Sequence, residues 1–185
     1  MAAVPPVCDF GWKAVDATLP GTDGKKHRIF DCAAPNGLVV AFICNHCPYV
    51  KAVVDRMVRE ANDLKPHGIG FVAISANDTV AYPEDSFDNM KAFARQHRFT
   101  FPYLYDESQD VGRAYGAACT PDFFGFNKTL ELQYRGRLDA SGRAPAGQDT
   151  RRDLFEAMEQ IARTGQGPRE QVASIGCSIK WKDPA

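Results

Sequence analysis

The apolar run Gly37-Leu38-Val39-Val40-Ala41-Phe42-Ile43 leads directly into Cys44-Asn45-His46-Cys47. An unbroken apolar stretch of this length, opened by Pro35-Asn36, reads as a strand buried on both faces, as in a parallel sheet. The next segment has a helical period. Val50, Val53, Val54, Met57, Val58, Ala61 and Leu64 recur at steps of three and four, with Lys51, Asp55, Arg56, Arg59, Glu60 and Asp63 between them. The pattern predicts an amphipathic helix of about four turns, with Pro48 near its start. The helix stops before Pro66-His67-Gly68, and Ile69 to Ser75 reads as a second buried strand. Strand, helix and strand in this order form a βαβ unit, so at least part of the sheet is parallel.

The remaining elements are shorter. Asn77 to Asp85 reads as a loop, Ser86 to about His97 as a helix with Phe87, Met90, Phe93 and Ala94 inward, and Tyr103 to Tyr105 as a strand. Asp110 to Ala117 is expected to be a short helix. Asp122 to Phe126 and Thr129 to Tyr134 are expected to form a β-hairpin around Asn127-Lys128. Arg135 to Thr150 is a polar loop. Arg151 to Arg163 is a last helix with Leu154, Phe155, Met158 and Ile161 inward. Trp12 to Leu19 and His27 to Phe30 suggest an extra N-terminal hairpin, and the tail from Val172 to Trp181 is expected to pack back on the body.

Bulk properties narrow the function. At 185 residues the chain suits one domain, 1–185. Lys plus Arg total 22 against 23 Asp plus Glu, so the surface has no basic excess for nucleic acid. No apolar run reaches the roughly 18 residues of a membrane span. The start, Met1 to Phe10, lacks the basic and apolar regions of a secretory signal, so the expected location is cytoplasmic. There the six cysteines (Cys8, Cys32, Cys44, Cys47, Cys119, Cys177) are less a disulfide framework than a source of catalytic or metal-binding groups.

Cys-x-x-Cys at a strand–helix junction has a chemical logic. A disulfide needs Cα atoms roughly 4.4–6.8 Å apart, and an i, i+3 pair in a first helical turn supplies that separation. Unpaired N–H groups and the positive end of the helix stabilise a thiolate, the reactive form. A protonated His46 between the thiols adds to this, and Asn45 is the other residue that tunes the pair. Two registers are open. If Pro48 is the first helical residue, Cys47 is the N-cap. If the helix begins around Asn45, Cys44 is the exposed, attacking thiol and Cys47 resolves; the second register is preferred. A half zinc site is the competing reading of Cys-x-x-Cys. No second Cys-x-x-Cys or paired-histidine motif accompanies it, so no metal is expected.

The strand–Cys44-Asn45-His46-Cys47–helix unit, with Thr120-Pro121 ahead of an apolar strand, resembles the thioredoxin superfamily. The stretches Asn45 to Ala52 (NHCPYVKA), Ala118 to Phe126 (ACTPDFFGF) and Gly176 to Lys182 (GCSIKWK) resemble its alkyl hydroperoxide reductase/thiol-specific antioxidant (peroxiredoxin-like) branch, over about residues 10 to 165. The resemblance implies an α/β, thioredoxin-like fold. Its central mixed β-sheet is flanked by helices and carries an N-terminal β-hairpin extension and a C-terminal tail. It also implies a cis Thr120–Pro121 bond facing the dithiol, with the backbone of Thr120 holding a substrate strand. The expected activity is thiol–disulfide exchange with protein or small-molecule disulfides. A cellular reductant would be the partner, and no cofactor is implied beyond the redox-active Cys44–Cys47 disulfide.

Peroxidases of this branch place a Thr or Ser three residues before the peroxidatic Cys and an Arg near the later strand. Here Cys44 takes the first place, and the second falls near Thr120-Pro121. Thiol peroxidase activity at Cys47 is therefore the alternative, and a redox-sensing or metal-holding module the third reading. Arg135 and Arg137 read as solvated loop residues. Cys119 is a candidate third thiol, with a small buried residue the preferred reading. Cys177 is open, Cys8 and Cys32 are structural or incidental, and His27, His67 and His97 read as surface residues. Asp16 and Asp31 are candidate proton acceptors by sequence proximity alone.

Overall fold

In the computed structural model, which describes residues 1–183, the run after Asn36 is a strand covered on both sides. The strands are β1 (Ala2–Ala3), β2 (Thr18–Pro20), β3 (Lys26–Arg28), β4 (Gly37–Phe42), β5 (Ile69–Ser75), β6 (Tyr103–Tyr105), β7 (Cys119–Thr120), β8 (Asp122–Asn127), β9 (Leu132–Gly136) and β10 (Gly176–Ser178). The helices are α1 (Pro48–Leu64), α2 (Phe87–Gln96), α3 (Asp110–Ala114) and α4 (Asp153–Thr164). Side chains alternate across a strand. Val39 and Ala41 of β4 therefore join Met57 of α1, Met90 of α2 and Met158 of α4 in one core. Leu38, Val40 and Phe42 join Ile29, Val111 of α3, Tyr115 and Ile179 in another.

β4 pairs antiparallel with β8, β8 antiparallel with β9, and β5 parallel with β6. β4 also lies beside β5, and Ile43 N–H donates to Ile74 O across 2.9 Å just past the end of β4. The mixed central sheet flanked by helices is thus the one expected.

Some boundaries differ. β2 and β3 pair as a hairpin, but its first arm does not reach back to Trp12. Gly11 and Ala14 instead donate to Leu132 O and Leu130 O, at 2.9 and 3.0 Å. The second hairpin strand starts at Leu132 rather than Thr129. Asn127 Oδ1 accepts from the N–H groups of Thr129 and Glu131, and Leu130 adopts a left-handed φ of 59°, which lengthens the turn. This shift carries Arg135 out of the expected loop and into β9. Glu60, read as part of the polar face of α1, is buried, and Arg152 at the start of α4 pairs with it at 2.6 Å.

The tail does pack back, and it does so as a strand. β10 lies between β1 and β7, with Cys177 opposite both Ala2 and Thr120. Gly176 permits this approach, because a Cβ there would collide with the backbone O of Thr120. Gly176→Ala is expected to lift the tail, so that amide hydrogen exchange across 172–180 rises markedly while exchange in β4 and β8 stays protected.

Candidate active site

The residue before a proline is steered to extended angles, and proline itself suits the first helical position. Cys47 accordingly has φ −65° and ψ 124°, Pro48 opens α1, and Lys51 N–H closes the first turn on Cys47 O at 2.9 Å. This corrects the preferred register. Cys47 is the N-cap rather than a residue inside the first turn, and Cys44, expected as the exposed terminal thiol, is buried ahead of the helix. Neither sulfur is at the surface: Cys44 is 1% and Cys47 0% exposed. All six cysteines carry free thiols.

Thr120 stands between the two sulfurs. Its Oγ1 is 3.4 Å from Cys44 Sγ, and its carbonyl O is 3.2 Å from Cys47 Sγ. The pair ionises unequally. The Cys44 thiol donates to Cys47, and this is the main reason that Cys47 is drawn down from 9.0 to about 4. Desolvation opposes the shift, while Cys177, Thr120 and the backbone of Val50 in the first turn of α1 assist it. Cys44 moves the other way, far above the ordinary thiol range. Its role as donor to Cys47 is the first cause, followed by burial and the charge of Asp85.

The loop between the cysteines is held by Asp85, fully buried at the end of the short helix Pro83–Asp85. Its Oδ1 accepts from Asn45 N–H at 2.8 Å and from His46 N–H at 3.2 Å. Its Oδ2 meets His46 Nδ1 at 2.6 Å and Asn77 Nδ2 at 2.8 Å. The His46 ring stacks on Tyr82, 5.8 Å away and 6° from parallel. Asn45 Oδ1 accepts from the buried Tyr103 hydroxyl at 2.9 Å. Sequence proximity points to Asp16 and Asp31 and misses Asp85. Asp16 instead pairs with Arg28, and Asp31 is exposed beside the same arginine. Asp85→Ala leaves at least three donors without an acceptor and is expected to lower stability by about 2 kcal/mol or more. Chemical denaturation of the reduced protein checks this.

The remaining site residues divide. The Thr120–Pro121 bond is cis, as expected. The substrate-strand expectation for Thr120 needs correction, because its edge is already paired with β10. Pro121 lines an adjoining cavity of about 270 Å³ together with Tyr49, Phe123, Val172 and Ile175. Cys119 is fully buried, its Sγ on Pro121 O at 3.4 Å, and burial pushes its thiol up. The third thiol near the pair is Cys177, which packs against the core that holds Cys44 and Cys47.

Arg135 is buried, not solvated, and pairs with the fully buried Asp122 at 2.8 Å. Arg137 pairs with Asp153 at 2.9 Å. His97 meets Asp55, His27 meets Asp23, and His67 packs edge-on against Phe155. Cys44 Sγ, a ring nitrogen of His46 and an Asp85 oxygen lie within 4.8 Å of one another, a grouping of metal-ligand types. The Asp85 oxygens are already engaged by protein donors, and a structural zinc takes four ligands. Among the described residues no helix is long and apolar enough to cross a membrane.

Residues 10–140 match the model of the AhpC/TSA family. The structure resembles that of an uncharacterized conserved protein from Geobacillus kaustophilus, with 44% identity, a TM-score of 0.93, and coverage of 100% of this chain and 98% of that one. A hypothetical protein from Sinorhizobium meliloti 1021 is 35% identical, with a TM-score of 0.88 and 98% of each chain covered. The thioredoxin domain of a thiol-disulfide oxidoreductase from Bacteroides vulgatus shares the fold at 15% identity and a TM-score of 0.62, over 83% of this chain and 97% of that one. No curated protein matches the sequence significantly.

Proposed function

The chain belongs to the AhpC/TSA family of thioredoxin-like proteins, and from that premise we propose that it is a thiol–disulfide oxidoreductase in which Cys47 attacks and Cys44 resolves. The observation that carries this reading is the place of Cys47 at the N-cap of α1, where the helix end favours its thiolate, with Cys44 ahead of the helix and its own ionisation disfavoured. The Cys47 thiolate attacks a substrate disulfide, one substrate sulfur leaves as a thiol, and a mixed disulfide forms. Cys44 then displaces the second substrate sulfur and closes the Cys44–Cys47 bond. The substrate leaves reduced and the protein oxidised, and a cellular thiol returns it to the dithiol. Substrates are protein or small-molecule disulfides, and the cavity lined by Tyr49, Pro121 and Phe123 suits an apolar group of the substrate.

Exchange is favoured over peroxide reduction because the nearby arginines are committed, Arg135 to Asp122 and Arg137 to Asp153. Neither is left to polarise a peroxide. Cys44→Ser protein treated with a peptide disulfide is expected to release one peptide thiol and to leave Cys47 in a disulfide, read by peptide mass mapping. Rapid peroxide consumption by the same variant, with no disulfide adduct, would move the assignment to a peroxidase.

A further inference from the structure

Both sulfurs of the dithiol are buried, and a more open thiol beside them is the readier point of entry for an external reductant. The tail offers a route. Directly opposed residues of an antiparallel ladder put their side chains on the same face. Thr120 points its hydroxyl at Cys44, and Cys177 stands opposite Thr120. Its sulfur therefore faces the dithiol, where it packs against the core around Cys44 and Cys47, and the two thiols Cys177 and Cys47 bias one another's ionisation. Ser178, one step on, stands opposite Cys119 on the other face. The same alternation explains why Cys119 turns to Pro121 O instead. Cys177 is also more open to solvent than Cys44 or Cys47.

We propose that Cys177 is a third redox thiol, which takes over the disulfide from the buried pair as a Cys47–Cys177 bond and presents it to an external reductant. This rests on the oxidoreductase reading and extends it. The Cys177 thiolate attacks Cys47 Sγ, the Cys44–Cys47 bond breaks, and Cys44 leaves as a thiol with the proton that Cys177 gave up. No electrons enter or leave in this step. An external thiolate then attacks Cys177 Sγ and expels Cys47, the more acidic thiol and so the better leaving group. A second external thiol displaces the first from Cys177, and the two leave as one disulfide. Burial first, and Cys47 second, push the Cys177 thiol up to about 11, and the second of these is lifted when Cys47 is tied up in a disulfide. The Lys180 ammonium and the N-terminal ammonium, which favour the thiolate, remain.

The test uses oxidised and reduced glutathione as probes. Cys44→Ser protein treated with oxidised glutathione is expected to yield a Cys47–Cys177 disulfide in non-reducing peptide maps. In the otherwise intact chain, Cys177→Ser is expected to slow reduction of the Cys44–Cys47 bond by reduced glutathione at least about tenfold, since an intramolecular thiol has a high effective concentration. A thermal melt establishes that the variant is folded. Cys47 that stays glutathionylated in Cys44→Ser, together with an unchanged reduction rate in Cys177→Ser, overturns the proposal. An unchanged or faster rate also identifies β10 as a passive cover. Failure of the oxidoreductase reading itself shows separately, as wild-type protein that never joins Cys44 to Cys47; the Cys44→Ser map then decides the Cys177 bond alone.

Discussion

Cys47→Ser is expected to reduce disulfide exchange on the order of 10³-fold or more with little loss of stability. A serine hydroxyl stays protonated at neutral pH, so the attacking anion disappears. The fold tolerates the change because the N-cap is a position serine favours, and its hydroxyl can donate to Thr120 O, which lies 3.2 Å from the Cys47 sulfur. Cys44→Ser removes only the resolving sulfur and keeps a donor beside Cys47, so the first step survives and closure of the Cys44–Cys47 bond is lost. Stopped-flow measurement of the first step separates the two variants. Equal loss in both, or greater loss in Cys44→Ser, would reverse the roles.

Arg135→Met is expected to cost about 3–5 kcal/mol, the usual loss when one partner of a buried ion pair is removed. Arg135 bonds both oxygens of Asp122 and the carbonyl of Gly116, and its guanidinium lies 4.4 Å from the Phe124 ring centre. Without it Asp122 keeps only the Ala118 N–H at 3.0 Å inside the fold. Burial already holds the Asp122 carboxyl above its ordinary value despite the arginine, and more so in the variant. With the folded pKa above the unfolded one, the contribution is present at low pH and lost as pH rises through the folded value. The deficit measured by urea unfolding should therefore shrink from pH 7 to pH 5. Asp122→Asn in the Arg135→Met background is expected to recover part of the loss. A pH-independent deficit would mean that lost packing, not an unpaired carboxylate, sets the cost. The pair also matters to the site, since Asp122 follows Pro121 and holds Ala118, on the other side of the Cys119-Thr120-Pro121 turn.

Whatever local pattern determines could be read in the sequence. The β4–α1–β5 unit comes from one apolar run, one helical stripe and one breaker cluster. Ser86 caps α2, with its side chain accepting from Asn89 N–H, where the expected helix begins. The cysteine pair and its junction are visible for the same reason. The start of α1 turns on Pro48, whose steering of Cys47 to extended angles outweighs the preference for a helix beginning at Asn45. The rest depends on partners far away in the chain. Asp85 lies about forty residues from the loop it holds, inside a segment with no periodicity. Arg135 is buried through a turn lengthened by Asn127 and Leu130. Cys177 reaches the dithiol only because the tail forms a strand against Thr120, for which GCS carries little propensity. A chain's own pairing can thus occupy an edge that family resemblance reserves for a ligand.

The central claim is that Cys47 is the anionic thiol of the pair. Its most direct test is site-resolved alkylation of the reduced protein with iodoacetamide from pH 5 to pH 9, each cysteine quantified by mass spectrometry. With the Cys47 thiol drawn down to about 4, its rate is expected to stay nearly flat across that range and to exceed that of Cys44 throughout. A Cys47 rate that climbs about tenfold per pH unit like an ordinary thiol, with Cys44 reacting first, would contradict it.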